Sequence, residues 1–335
     1  MKTYFATFIP GLSEAIKEAL LKDCPKIEIL KFFESSILFK SEDEYQHVVS
    51  LPYINNVFLV ANHLHFDRNK KAGSIAKELL KDAQFKQFIP NTKNVSFRIM
   101  IQKGADLIHI PREFSGKIID KITQQTGFVF APLKASVEYW FLIRNEGLAI
   151  LGIKLTNLIR RSPGDNQQGK LQPEIANILN FLSEPHKDDV YLDPFAGYGS
   201  LAKDRILFNP YKHIYLSDIE KPLVERLRKL NSDKVTVQLS DALHLDYLKD
   251  KSVNKVVTDP PWGVYEMKNV RFEKFYKAML NEMQRVVKTN GIIIILTARF
   301  KEFEKALLQT TLHLFKKYST LVNGKKATIY KLTSV

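Results

Sequence analysis

Hydrophobic and polar positions change period several times along the chain, and each change marks an element. Residues 4–9 read as a strand cut off by Pro10-Gly11. Leu12, Ile16, Ala19 and Leu20 then recur at helical spacing around an N-cap at Ser13, which predicts a helix through Leu21. Residues 27–32 and 36–39 read as strands and 42–51 as a helix. Residues 1–56 are therefore expected to form a small α+β module of the ferredoxin-like kind. A second α+β region follows over residues 57–158, with strands at 58–64 and 95–101 and helices at 74–88 and 114–126. Arg144-Asn145-Glu146-Gly147 turns a last strand pair, 137–143 and 148–153. The polar stretch 159–168 reads as a linker.

From 169 to 335 strand-like runs alternate with helical patterns, which predicts a mainly parallel sheet of the doubly wound α/β class. The strands are 190–193, 214–217, 235–239, 253–258 and 292–297, with helices at 174–182, 201–207 and 272–287. Asn323-Gly324 between runs 312–321 and 325–332 breaks the alternation and signals a closing antiparallel hairpin.

Four of these strands carry an acid at or just past the carboxyl end: Asp193, Asp218, Asp241 and Asp259. Ligands of doubly wound sheets bind at the carboxyl ends of the strands. After Asp193-Pro194 come Phe195-Ala196-Gly197-Tyr198-Gly199-Ser200, whose glycines let the backbone approach a ligand without a Cβ in the way. An acid opening that turn suits a zwitterion carrying an ammonium better than a pyrophosphate. Asp218 stands near the offset at which a carboxylate meets ribose hydroxyls. Asp241, before Ala242, can accept from an adenine amino group.

Asp259-Pro260-Pro261-Trp262 suits the gripping of a planar amine. Two prolines fix the backbone and remove two N–H donors. The Asp259 carboxylate and the carbonyls of Asp259 and Pro260 can accept from an exocyclic NH₂, and Trp262 offers a face for stacking.

The stretch from Asp193 to Ser200 resembles the D-P-F-x-G-x-G-[ST] motif of S-adenosylmethionine-dependent amino-methyltransferases, and Asp259–Trp262 resembles their [DN]-P-P-[YFW] signature. Gly169-Lys170-Leu171-Gln172-Pro173 is similar to their upstream cofactor motif. The pattern of residues 97–101, 114–126, 131–133, 137–143 and 148–153 is similar to the THUMP-domain subgroup that methylates N2 of guanosine in RNA. The resemblance implies a Rossmann-like methyltransferase domain at 169–335 behind a THUMP-like RNA-binding domain at 57–158. It implies S-adenosyl-L-methionine as cofactor, held by Gln172, Pro173, Asp193, Phe195, Ala196, Gly197, Tyr198, Gly199, Asp218, Asp241 and Ala242. Asp259, Pro260, Pro261 and Trp262 are the implied catalytic residues. Ala196 and Tyr198 depart from the small or cysteine residues common in that loop. Trp262 stands where tyrosine is usual in the guanosine enzymes, and D-P-P-W also occurs in N6-adenine methyltransferases.

Composition narrows the field. With 335 residues the chain fits two or three domains, and 45% hydrophobic residues argue against wholesale disorder. Fifty Lys and Arg against 36 Asp and Glu give a net charge of +14, which favours a polyanionic partner. The resemblance implies that this partner is RNA, and within RNA tRNA. Lys70, Lys71 and Lys154 with Arg68, Arg160 and Arg161 are the basic positions nearest the expected RNA-binding region. A single cysteine, Cys24, excludes an intramolecular disulfide and disfavours the cysteine chemistry of pyrimidine C5 methylation. No metal is expected, and no run approaches the ~20 apolar residues of a membrane span, so a cytoplasmic location is the expectation. Competing readings are an N6-adenine or protein-glutamine methyltransferase, a non-catalytic RNA-binding protein and a nicotinamide-dependent oxidoreductase. The sequence leaves the modified position and the oligomeric state open.

Overall fold

The computed structural model describes residues 1–67, 69–85, 94–109, 112–156, 170–263 and 271–334. The expected linker, 159–168, Arg68 and residues 86–88 of the helix expected over 74–88 lie outside the described residues. The chain divides into two compact units: Met1–Thr7 with Leu20–Pro163, and Phe8–Ala19 with Gly164–Val335.

Elements in the first part are β1 (Lys2–Thr7), α1 (Ser13–Asp23), β2 (Ile27–Phe32), β3 (Ser36–Ser41), α2 (Tyr45–Ser50), β4 (Asn56–His65), α3 (Ala72–Lys81), β5 (Ser96–Lys103), β6 (Asp106–Leu107), α4 (Arg112–Thr126), β7 (Val129–Phe130), β8 (Val137–Ile143) and β9 (Leu148–Lys154). Strands before and after residue 56 share one sheet in the order β2-β3-β1-β4-β9-β8-β5-β6, with β7 beside β5. The β5–β8 and β5–β7 pairs are parallel. Phe5, Leu38, Phe58, Val60, Leu142, Leu148 and Ile150 form a buried cluster in this unit. Ile75, Ala76, Leu79 and Leu80 are the buried stripe of α3, which stops at Lys81. There the Lys121 ammonium donates to the carbonyls of Leu80 (2.5 Å) and Lys81 (2.6 Å), satisfying orphan acceptors of the last turn.

The second part contains α5 (Pro173–Leu182), β10 (Val190–Asp193), α6 (Ser200–Phe208), β11 (His213–Asp218), α7 (Lys221–Leu227), β12 (Val235–Leu239), β13 (Val253–Thr258), α8 (Phe272–Val286), β14 (Val287–Thr297), α9 (Phe300–Leu307), β15 (His313–Val322) and β16 (Lys325–Thr333). Its sheet runs β12-β11-β10-β13-β14-β16-β15. The first five strands in that order are parallel, and β16 enters antiparallel between β14 and β15. This is a Rossmann-like α/β sheet closed by a hairpin. Positive φ at both Asn323 (49°) and Gly324 (78°) makes the hairpin turn. From β10 the chain moves outward to β11 and β12, then returns to β13 on the other side. The topological switch point therefore lies between β10 and β13.

Strict alternation fails between β12 and β13, where no helix forms. Side chains of α8 satisfy that segment's backbone instead: Glu282 accepts from the Leu245 N–H (2.7 Å), and Arg285 donates to the carbonyls of Leu245 (3.1 Å) and Leu248 (3.0 Å). The core on the α8 side includes Tyr276, Met279, Leu280, Phe303 and Tyr330, with the Phe303 and Tyr330 rings 4.4 Å apart.

Candidate active site

The Asp193 and Asp259 positions flank the switch point, at the carboxyl ends of β10 and β13. Asp193 is 1% exposed. Its Oδ1 accepts from the Thr258 hydroxyl (2.8 Å) and the Phe195 N–H (3.3 Å). Burial raises its pKa, those two donors oppose the rise, and the Asp218 charge adds to it, leaving the group at about 7. Asp259 is part-exposed as a residue, yet its carboxyl group lies beneath its neighbours. That burial pushes it up to about 8, opposed by the Trp262 donor and reinforced by the Asp193 charge. The Trp262 indole N–H donates to Asp259 Oδ1 at 2.9 Å. Pro260 is buried, while Pro261 and Trp262 are part-exposed.

The glycine turn after β10 is folded by its own backbone and by a neighbouring acid. Ala196 N–H donates to the Ser217 carbonyl (2.9 Å) and Gly199 N–H to the Ala196 carbonyl (2.7 Å). Gly197 has φ 49° and its N–H donates to Asp218 Oδ2 (2.9 Å), while Glu220 N–H holds the other oxygen (3.0 Å). Asp218 thus ties the end of β11 to the glycine turn. A side chain at Gly199 would meet Leu227 Cδ2 at 2.8 Å, so the turn needs glycine there for packing against α7. Tyr198 lies under the Arg226 guanidinium, 5.1 Å from ring centroid to Cζ, and its carbonyl accepts from Lys203 (3.1 Å). Phe195 packs toward Phe275 (5.9 Å).

Asp241 follows β12, and its Oδ1 accepts from the Leu243 N–H (2.9 Å); Ala242 is buried. The Ser240 N–H donates to the Asp218 carbonyl (3.1 Å), which joins the ends of β11 and β12. Gln172 is the residue before α5 and Pro173 its first, a position that suits proline. The Gln172 amide donates to Asn323 Oδ1 (3.0 Å), in the hairpin turn that projects past the carboxyl end of β14. A buried Asp204 in α6 accepts from Asn177 (3.1 Å) and Asn180 (2.9 Å) of α5, fixing the two helices that carry these loops.

The structure therefore brings Asp193, Asp259 and Trp262 together with Thr258, and Asp218 joins the glycine turn after Asp193 to the edge that carries Asp241, its carboxylate accepting from Gly197 N–H and its carbonyl from Ser240 N–H. Gln172 and Pro173 stand at the start of α5. Sequence patterns did not single out Thr258, Ile219, Gly263 or Arg299. Ile219 is 67% exposed directly after Asp218, an apolar surface at the same sheet edge. Arg299 donates from Nε to the Trp262 carbonyl (2.9 Å). Its place just beyond the end of β14 was a readable signal, because strand ends carry ligand-facing residues. Among the described residues no group of His, Cys, Asp and Glu is placed to hold a metal ion, and no helix is long and apolar enough to cross a membrane.

Residues 211–327 match the family described as UPF0020, RMKL-like methyltransferase domain. The U6 snRNA (guanine-N(2))-methyltransferase THUMPD2 of Bos taurus is 24% identical over 213 residues, 62% of this chain and 41% of that protein. The tRNA (guanine(6)-N2)-methyltransferase of Thermus thermophilus is 26% identical over 219 residues, 63% of this chain and 65% of that one. The chain spans less than two thirds of the length of either relative. The crystal structure of TrmN from Thermus thermophilus shares the fold, with a TM-score of 0.78 at 20% identity over 100% of both chains. Residues 211–327 of the C-terminal unit thus match a methyltransferase-domain family, and the sheet order around them is that of a Rossmann-like fold.

Proposed function

We propose that this chain is an S-adenosylmethionine-dependent methyltransferase acting on the exocyclic N2 amine of a guanosine in tRNA. The observation that carries this reading is the pair of acids at the switch point, Asp193 held by Thr258 (2.8 Å) and Asp259 by the Trp262 indole (2.9 Å), both raised in pKa by burial. A buried carboxyl with a raised pKa gains most from a cationic or N–H-bearing ligand.

The loop fits the cofactor. A Cβ at Gly197 would meet nothing nearer than the Phe195 carbonyl at 3.9 Å, so the turn leaves room on that side. Asp193, the Phe195–Gly199 turn, Asp218, Asp241, Ala242, Gln172 and Pro173 would hold S-adenosylmethionine, with exposed Ile219 against the adenine face. When bound, the cofactor supplies an electrophilic methyl group. Asp259 and the Pro260 carbonyl accept hydrogen bonds from the substrate amine and fix its nitrogen lone pair, while Trp262 stacks on the flipped base. Positioning of this kind supplies much of the rate when the electrophile is already activated.

The named functions of the two relatives, both guanine-N2 methyltransferases, support the guanosine target. A net charge of +14 supports an RNA partner. On this reading residues 1–56 and 57–158 are ferredoxin-like and THUMP-like modules that present RNA to the domain at 169–335, and the reaction belongs in the cytoplasm. An N6-adenine target is the second reading, favoured by Trp262 in place of tyrosine. Methyl transfer from labelled S-adenosylmethionine to total tRNA, rRNA and DNA tests the substrate class. Label in tRNA alone is expected, and label confined to rRNA or DNA, or absent from all three, would refute it.

A further inference from the structure

Arg299 makes three contacts beside the residue that follows the two prolines, Trp262. Arg299 Nε donates to the Trp262 carbonyl at 2.9 Å. The same guanidinium lies 4.5 Å from the centroid of the Phe272 ring and pairs with Glu302 (3.3 Å). Phe272 in turn packs against Gly263, where a Cβ would fall 2.1 Å from Phe272 Cζ and where φ is +68°. The backbone of Arg299 is also fixed, since its N–H donates to the Thr297 hydroxyl (3.0 Å), which shares a hydrogen bond with the Tyr276 hydroxyl (2.8 Å). Arg299 thus stands on the end of β14 and reaches across to hold the main chain that follows Pro261.

We propose that Arg299 is a positioning residue: by holding the Trp262 carbonyl it keeps the Trp262 indole N–H on Asp259 and so aims the carboxylate at the substrate amine. This rests on the methyl-transfer reading above. Arg299 touches no reacting atom on this reading; it acts through Trp262. One oxygen of Asp259 is occupied by the indole, which leaves Oδ2 for the amine. The charged and titratable groups around this corner are Asp193 from β10, Tyr276 from α8, and Arg299 and Glu302 at α9.

The test uses ¹⁵N-labelled full chain. Its two tryptophans, Trp140 and Trp262, give two indole signals, and Trp140→Phe assigns them. Trp140 donates to Glu138, whose pKa is lowered, so its signal should stay still through neutral pH. The Trp262 signal should follow the ionisation of Asp259 near 8. In Arg299→Met that response is expected to shrink by half or more, with kcat down about tenfold or more and the cofactor KM unchanged. Arg299→Lys, which keeps the charge and one donor, should recover part of both and serves if the methionine variant does not fold. A wild-type indole response in both variants would overturn the proposal, whatever the turnover. Absence of methyl transfer by the wild-type chain would instead remove the reaction, and the proposal with it.

Discussion

Thr258 and Asp193 end adjacent parallel strands, and the threonine hydroxyl donates a 2.8 Å hydrogen bond to the aspartate. Thr258 also immediately precedes Asp259. The acid assigned to the cofactor and the acid assigned to the amine are therefore linked by one hydrogen bond and one peptide unit. Burial raises the pKa of both, and the Asp193 charge further opposes the ionisation of Asp259. A bound cation between them would relieve both.

Asp259→Ala is expected to lower methyl transfer by about 10²-fold or more while leaving cofactor affinity largely intact. In the wild type, kcat/KM reports the free protein and should rise as pH passes through about 8, where Asp259 ionises. Initial rates across pH 6–9.5 check both, and near-wild-type turnover by the alanine variant would sink the role given to Asp259.

The Asp193 carboxyl has its folded-state pKa raised to about 7. The linked stability is fully present below the unfolded value, about 4, and is lost as pH rises through the folded value. Without ligand, Asp193→Asn should therefore melt above the wild type at pH 8 and lose that advantage on acidification. Cofactor affinity should move oppositely: it falls in the wild type below about pH 7, where a proton must leave before a cation binds. Calorimetry in buffers of different ionisation enthalpy should detect that released proton. A pH-independent affinity equal in both proteins would contradict this.

Arg205 is 0% exposed, donates to Asp189 at 2.8 Å and lies 5.3 Å from the Tyr191 ring. Arg205→Met leaves Asp189, 4% exposed, without its ion partner. Breaking a buried pair in this way costs roughly 3–5 kcal/mol. Urea unfolding of the C-terminal unit should register it, and a loss under about 1 kcal/mol would mean the pair is offset by other contacts.

Much of the site was legible because strand ends are marked by period changes. Asp193, Asp218, Asp241 and Asp259 each follow a run of β-branched or aromatic residues, and the sheet order sets them along one edge. Asn323-Gly324 was legible because two successive positive φ values demand those residue types. For Arg299 only its place beyond β14 was legible, since its partner is a backbone carbonyl 37 residues away and a carbonyl leaves no trace in sequence. The way the segment before β13 is held was hidden for a related reason, because Arg285 and Glu282 satisfy its backbone from a distant helix. The Trp262–Asp259 bond was also unforeseen: the pattern suggested a stacking face, and the indole N–H supplies a donor as well.

The central claim is the identity of the modified atom. Purified tRNA should be methylated by the chain, digested to nucleosides and resolved by mass spectrometry. N2-methylguanosine is the expected product. N6-methyladenosine, or tRNA that stays unmodified by a preparation that binds S-adenosylmethionine, would contradict it.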